Sequence, residues 1–113
     1  MTLNRLTAIG LIWELNEGKN ILVVGRSRED TRRMFDTVTK TAFDQKVSDL
    51  VHRFNRSNDG GVIEHVSGHW MTFVPADPGA LRGYAPDVIY LNAAYTEDIA
   101  AVKASKGAEV ICS

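Results

Sequence analysis

The sequence has little of what marks several specialised classes of protein. It holds one cysteine and three prolines in 113 residues, and its formal net charge is −1. A single cysteine cannot close a disulfide within the chain, which excludes a disulfide-built scaffold. The balanced charge argues against nucleic-acid binding by the surface as a whole. The apolar runs, such as Ile21–Gly25, are far shorter than the roughly 20 residues that span a bilayer.

What is present is typical of a soluble globular protein, with 44% hydrophobic and 24% charged residues. The length predicts a single domain over residues 1–113. No secretory signal pattern opens the chain, so we expect a cytoplasmic location and no membrane partner.

Apolar spacing predicts two helices, one over residues 3–16 and one from residue 28 to about residue 51. Ile21–Gly25 lies between them. This segment is uncharged and rich in β-branched residues, which is typical of a strand buried on both faces. Ser27 then suits the N-cap of the second helix, with Asp30 three residues later.

The middle and end of the chain predict further strands. A strand around Phe54, the turn signal at residues 58–61, and strands over residues 62–66 and 69–74 predict an antiparallel meander. Residues 88–91 and 109–113 predict two more strands, joined by a short helix that Thr96 begins and Gly107 ends. This alternation predicts an α/β fold with a short parallel sheet, flanking helices and right-handed crossovers.

Three stretches, in the correct order, resemble the ATPase domain of phage terminase large subunits, which belong to the RecA-like P-loop class. They are residues 18–27, residues 58–74, and residues 81–91, which lead into the strand that carries Walker B in that family. The resemblance implies a three-layer RecA-like core with the β-meander as an insertion. It also implies a phage-encoded protein of the host cytoplasm.

The catalytic parts of that family are missing from this chain. A Walker A loop requires G-x-x-x-x-G-K-[ST], and the sequence contains no such segment. Walker B requires carboxylates for Mg²⁺ and for the attacking water, but Asn92 and Ala93 stand at those positions. We therefore predict a truncated, degenerate relative with no enzymatic activity and no cofactor.

Two basic positions are candidate ligands for a phosphate or for nucleic acid. Arg26, Ser27 and Arg28 join a strand to a helix N-terminus, where N–H and guanidinium groups can hold an anion, and Arg32 follows one turn later. The alternative is a capped helix with solvated arginines. Arg82 precedes the Walker B-like strand, and pairing with a nearby carboxylate is the interpretation we favour there.

His65 and His69 flank a turn, where a histidine pair can bind a metal ion. Structural zinc normally takes four ligands, and no further cysteine or histidine stands at a motif spacing. We therefore expect no metal site.

The last strand carries the leading functional prediction. The strand that the resembling fold places beside residues 109–113 is absent, which leaves a sheet edge at Val110, Ile111 and Cys112. We predict a catalytically inactive protein-binding or self-associating module, with a homodimer favoured. Covering of that edge by the first helix would compete with pairing. The alternative functions are a nucleic-acid-binding accessory protein, and an ATPase fragment completed in trans by a partner's P-loop.

Overall fold

A computed structural model describes residues 4–46, 50–57, 60–75, 85–91 and 109–112 of the chain. These residues form a compact α/β domain, as the sequence predicts. The elements are α1 (Arg5–Asn16), β1 (Ile21–Gly25), α2 (Arg28–Asp44), β2 (Val51–Arg56), β3 (Gly61–His65), β4 (Trp70–Pro75), β5 (Val88–Leu91) and β6 (Glu109–Cys112). The short helix predicted between β5 and β6 lies outside the described residues.

The six strands join one mixed sheet in the order β2-β3-β4-β1-β5-β6. Strands β4, β1, β5 and β6 run parallel, while β2, β3 and β4 pair antiparallel. The predicted antiparallel strands are thus confirmed, and β4 joins them to the parallel strands by lying beside β1. A RecA-like three-layer core, with the meander as its insertion, stays a prediction.

β1 is the centre of this sheet, and all its residues are buried. Ile21 and Val23 belong to the hydrophobic core that contains the inner faces of α1 and α2. Leu22 and Val24 alternate onto the opposite face of the sheet and are fully buried there as well. Burial on both faces explains why this segment carries neither charge nor a polar alternation.

The two helices divide one face of the sheet between them. α2 contacts β4, β1, β2 and β3, whereas α1 contacts α2 and β1. Phe35 of α2 meets Phe73 of β4 edge-on, with ring centroids 5.3 Å apart. α1 packs mainly on α2 and β1, and Asn16, its last residue, hydrogen-bonds to His65 at the end of β3.

The second helix is shorter than the sequence predicts, and its extension to residue 51 is wrong. The helix ends at Asp44, and Val51 begins β2. Lys46 takes a positive φ of 57°, the left-handed conformation that glycine usually supplies after a helix. A β-bulge between Val51 and Arg53 then turns Val51 and Phe54 toward the same core. Their three-residue spacing is typical of a helix, although both residues lie in a strand.

Hydrogen bonds at the amino edge of the sheet hold four strands in register. The Asn20 side chain accepts the N–H of Trp70 at 3.1 Å, and the Asn20 carbonyl accepts the N–H of Asp87 at 2.8 Å. The Asp87 carboxylate accepts the N–H of Asn20 at 2.8 Å, and the Asp87 carbonyl accepts the N–H of Glu109 at 2.9 Å. The starts of β1, β4, β5 and β6 are therefore tied together.

We predict that Gly25→Ala lowers the free energy of unfolding by about 1–3 kcal/mol, the usual cost of overpacking. A Cβ there would lie 2.9 Å from Cα of Thr31 and would collide with the Thr31 hydroxyl. Urea denaturation at low protein concentration measures the change.

The control is Gly10→Ala on α1, where an added Cβ meets no atom of the described residues within 4 Å apart from the backbone of its own helix. Replacing a helical glycine with alanine should raise stability by roughly 1 kcal/mol. Equal effects of the two variants would contradict the close packing at Gly25.

Candidate functional site

The loop between β1 and α2 leaves the carboxyl end of the central strand. From β1 the chain proceeds to β4 on one side of β1, and later it reaches β5 on the other side. Open α/β sheets bind ligands at the point where the strand order changes direction in this way, in the crevice beyond the carboxyl ends of the strands. The topology therefore makes residues 26–28 the first candidate site.

The predicted N-cap at Ser27 is confirmed. The Ser27 hydroxyl accepts the N–H of Asp30 at 3.1 Å, and the Asp30 carboxylate accepts the N–H of Arg26 at 2.8 Å. The Thr31 hydroxyl donates to the Ser27 carbonyl at 2.6 Å. Asp30 is only 6% exposed, so a buried carboxylate already occupies part of the positive helix end.

The candidate arginines cluster at this end of α2, but acidic side chains lie among them. Arg26 Nε lies 3.8 Å from the Asp30 carboxylate, and Arg33 pairs with Glu29 at 2.6 Å. Arg28 is exposed and Arg32 is half-buried. The carboxylates offset part of the positive charge that a phosphate would meet, and a nucleic-acid role for these arginines stays a prediction.

The other residues of the implied nucleotide site, Arg82, Asn92 and Ala93, lie outside the described residues. β5 ends at Leu91, in register with Val24 of β1.

The edge formed by β6 is the second candidate site. β6 pairs with β5 on one side, and no strand among the described residues pairs with its other side. The N–H of Glu109 points toward β5, since it donates to the Asp87 carbonyl. Because N–H directions alternate along a strand, the N–H of Val110 points to the outer edge. Val110 and Ile111 are half-buried, and Ile111 packs against the core.

The opposite edge of the sheet, β2, is chemically different. Arg53 makes two 3.0 Å hydrogen bonds to the Glu64 carboxylate, and Arg56 makes two to the Asp36 carboxylate at 3.0 and 3.2 Å. The β-bulge near Val51 interrupts the regular ladder there. Charged side chains and bulges are devices that protect an edge strand from pairing. β2 therefore carries such protection, and β6 is the better candidate for an added strand.

A histidine cluster at the β3–β4 turn connects this turn to α1. The N–H of Ser67 donates to Nδ1 of His65 at 3.1 Å, so Nε2 of His65 carries the proton and donates to Asn16 at 3.1 Å. The Ser67 hydroxyl lies 2.7 Å from Nδ1 of both His65 and His69. Asn16 is 49 residues away in sequence, so no local pattern could have identified it.

Metal and membrane features can be assessed for the described residues only. Within them, no group of three or more His, Cys, Asp or Glu side chains could hold a metal ion. Neither described helix is long and apolar enough to cross a membrane.

We predict that Ser27→Ala lowers the free energy of unfolding by about 1 kcal/mol, because the N–H of Asp30 loses its partner. Thermal or urea denaturation measures the loss. Glu29→Ala is the control in the same turn, since it removes an exposed ion pair worth no more than about 0.5 kcal/mol. A larger loss for Glu29→Ala than for Ser27→Ala would contradict the capping role.

A second prediction concerns pH. Burial, with a smaller contribution from the charge of His69, lowers the pKa of His65 below its usual value of 6.5. As the pH falls below about 6.5, the unfolded chain binds this proton before the folded chain does. The stability that His65 contributes is therefore present above pH 6.5 and is lost as the pH falls toward the lowered pKa.

Urea denaturation at about pH 5 and about pH 7.5 should show this loss, and NMR titration of the ring reports the pKa directly. His65→Gln should flatten the pH dependence of the free energy of unfolding. His52→Gln, at an exposed position of β2, should leave that dependence unchanged. A pH dependence that survives His65→Gln would assign the effect to another group.

No protein-family model matches the chain, and neither the curated proteins nor the solved structures give a match. The resemblance to terminase motors stays a prediction from the sequence.

Proposed function

We propose that this chain is a non-catalytic protein-interaction module that forms a homodimer by strand pairing at the outer edge of β6. The position of β6 at one end of the sheet is the observation that carries the proposal. An edge strand presents N–H and C=O groups that a strand from another chain can satisfy. Three of the four residues of this strand, Val110, Ile111 and Cys112, are neither proline nor charged, and the exposed Glu109 at its start gives only partial protection.

The resemblance supports this choice of edge. The terminase fold places its phosphate-loop strand beside the strand that corresponds to β6, and that loop is missing from this sequence. Among the described strands, β6 lies at the end of the parallel set β1, β5 and β6, next to the position that the terminase fold gives to its phosphate-loop strand. A phage-encoded, terminase-like origin and a location in the host cytoplasm belong to the same proposal.

The non-catalytic part of the proposal depends on the missing chemistry. Without a Walker A loop, no backbone cradle or lysine neutralises the phosphates of a nucleotide. The neutral residues Asn92 and Ala93 also supply no carboxylate for Mg²⁺ or for the attacking water.

The two alternatives differ in how they relate to this edge. Completion of an ATPase in trans would place the P-loop strand of another protein beside β6, so it uses the same surface with a different partner. Nucleic-acid binding would use the start of α2, where Asp30 and Glu29 weaken the attraction for phosphates. The self-association proposal therefore has the stronger support from the described residues.

We predict that the protein is a dimer by multi-angle light scattering and that Val110→Pro shifts it toward monomer. Proline removes the outward N–H of residue 110, while the N–H of Ile111, which points toward β5, is untouched. Proline at an outward position of an edge strand is compatible with the fold. Circular dichroism should therefore show a folded variant.

Arg56→Pro provides the matched control, because the N–H of Arg56 faces the outer edge of β2. This variant should remain dimeric. A monomeric wild-type protein at high concentration would overturn the proposal. A folded Val110→Pro variant that stays fully dimeric would place the interface elsewhere.

A further inference from the structure

Strand β6 presents backbone hydrogen-bonding groups to its outer edge at alternate residues only. The N–H of Glu109 donates to the Asp87 carbonyl, and Ile111 follows two residues later in the same parallel ladder. Glu109 and Ile111 therefore direct their N–H and C=O groups toward β5. Val110 and Cys112 direct theirs outward, so these two residues supply the groups that an added strand can meet.

The Ile111 side chain brings the hydrophobic core to this edge of the sheet. Val23, Tyr90 and Ile111 form one row across β1, β5 and β6. Val23 and Tyr90 are at most 1% exposed, whereas Ile111 packs against the same core but is only half-buried. The apolar surface of the core is therefore incompletely covered at Ile111.

We infer that the two copies of the proposed homodimer pair with Ile111 on the two-fold axis, so that Ile111 of each copy lies opposite Ile111 of the other. The inference rests on the proposed function and adds the register of the contact. In an antiparallel pair, two opposite residues direct their backbone groups either toward each other or away from each other. The two-fold axis must therefore pass through a residue position, and β6 offers the positions 109–112.

Hydrogen bonding favours an axis at Ile111. Val110 of each copy then lies opposite Cys112 of the other, and the two residues of such a hydrogen-bonded pair exchange both N–H···O bonds. The dimer has two of these pairs, and every outward group of β6 finds a partner. An axis at Val110 or at Cys112 instead leaves a single hydrogen-bonded pair within β6.

The side chains favour the same register. An axis at Val110 would place the Glu109 carboxylate opposite Ile111, beside the hydrophobic core, and burial of an unpaired carboxylate is unfavourable. An axis at Glu109 would place two carboxylates opposite each other, which is destabilising. With the axis at Ile111, two apolar side chains meet in a non-hydrogen-bonded pair, where side chains are closest. The hydrophobic core of each copy then continues into that of the other.

Disulfide formation between proteins that carry one cysteine each tests the register. A disulfide needs Cα atoms roughly 4.4–6.8 Å apart. The residue on the axis lies opposite its own equivalent and meets this requirement, whereas the residues before and after it face their equivalents diagonally, at about 7–8 Å. Ile111→Cys combined with Cys112→Ser should therefore give mostly covalent dimer on a non-reducing gel after incubation with oxidised glutathione.

Two matched controls differ from this protein by one position along β6. They are Val110→Cys combined with Cys112→Ser, and the wild-type protein, whose single cysteine is Cys112. Both should stay mostly monomeric on the same gel. Circular dichroism establishes that each variant is folded.

Amide hydrogen exchange of the wild-type protein, followed by NMR, supplies a measurement without substitutions. The N–H groups of Val110 and Cys112 should both exchange more slowly as the protein concentration rises and the dimer forms. Fast exchange at Cys112 in the dimer would contradict an axis at Ile111, because that register gives its N–H a partner.

The outcomes separate the register from the proposed function. A dimer that Val110→Pro dissociates, but that cross-links at residue 110, at residue 112 or at none of the three positions, overturns the register alone. A dimer that Val110→Pro leaves intact and that cross-links at none of these positions overturns the β6 edge and the register with it. A wild-type protein that is monomeric by light scattering at high concentration also overturns both.

Discussion

The parallel part of this fold depends on the hydrogen bonds that Asn20 and Asp87 make at the amino edge of the sheet. These two residues tie together the starts of β1, β4, β5 and β6. A slip of one residue in any of these strands would turn its apolar side chains to the opposite face of the sheet. Because β1 is apolar and buried on both faces, its side-chain pattern alone does not oppose such a slip, and these hydrogen bonds fix its register. The same alignment brings Gly25, Pro75, Leu91 and Cys112 to one carboxyl edge, where the chain presents its first candidate site.

The sequence predicts those elements whose own residue types indicate burial or capping. The uncharged segment Ile21–Gly25 predicts a buried strand, and Ser27 with Asp30 predicts a helix N-cap. The structure confirms both predictions. The end of α2 carries no such signal, because Lys46 takes the left-handed conformation without being glycine. The β-bulge adds to the error by giving Val51 and Phe54 a helical spacing. A local sequence pattern cannot distinguish a continuing helix from a bulged strand with the same apolar spacing, because tertiary packing decides which of them forms.

In the candidate sites, too, the sequence predicts some features and tertiary packing decides the others. The end position of β6 and the loop before α2 follow from the order of elements, and the sequence predicts both. The pairing of Arg26 with Asp30, of Arg56 with Asp36 and of His65 with Asn16 depends on side-chain positions in the folded chain. The separation of Asn16 and His65 by 49 residues gives no sequence signal. The exposure of Leu6 and Trp13 on α1 gives no sequence signal either, since periodicity detects apolar residues but not which of them the folded chain covers.

The contrast between the two sheet edges bears on what kind of assembly the proposed contact can form. If β6 of one copy added to β2 of the next, every copy would expose a new edge and the assembly would continue as a filament. The bulge near Val51 and the ion-paired Arg53 and Arg56 oppose such addition at β2. Pairing of β6 with itself uses one edge of each copy and, among the described strands, leaves the protected β2 edge of each copy unpaired. If the proposed β6 contact forms, the protection of β2 therefore favours a closed two-fold dimer over an open fibre.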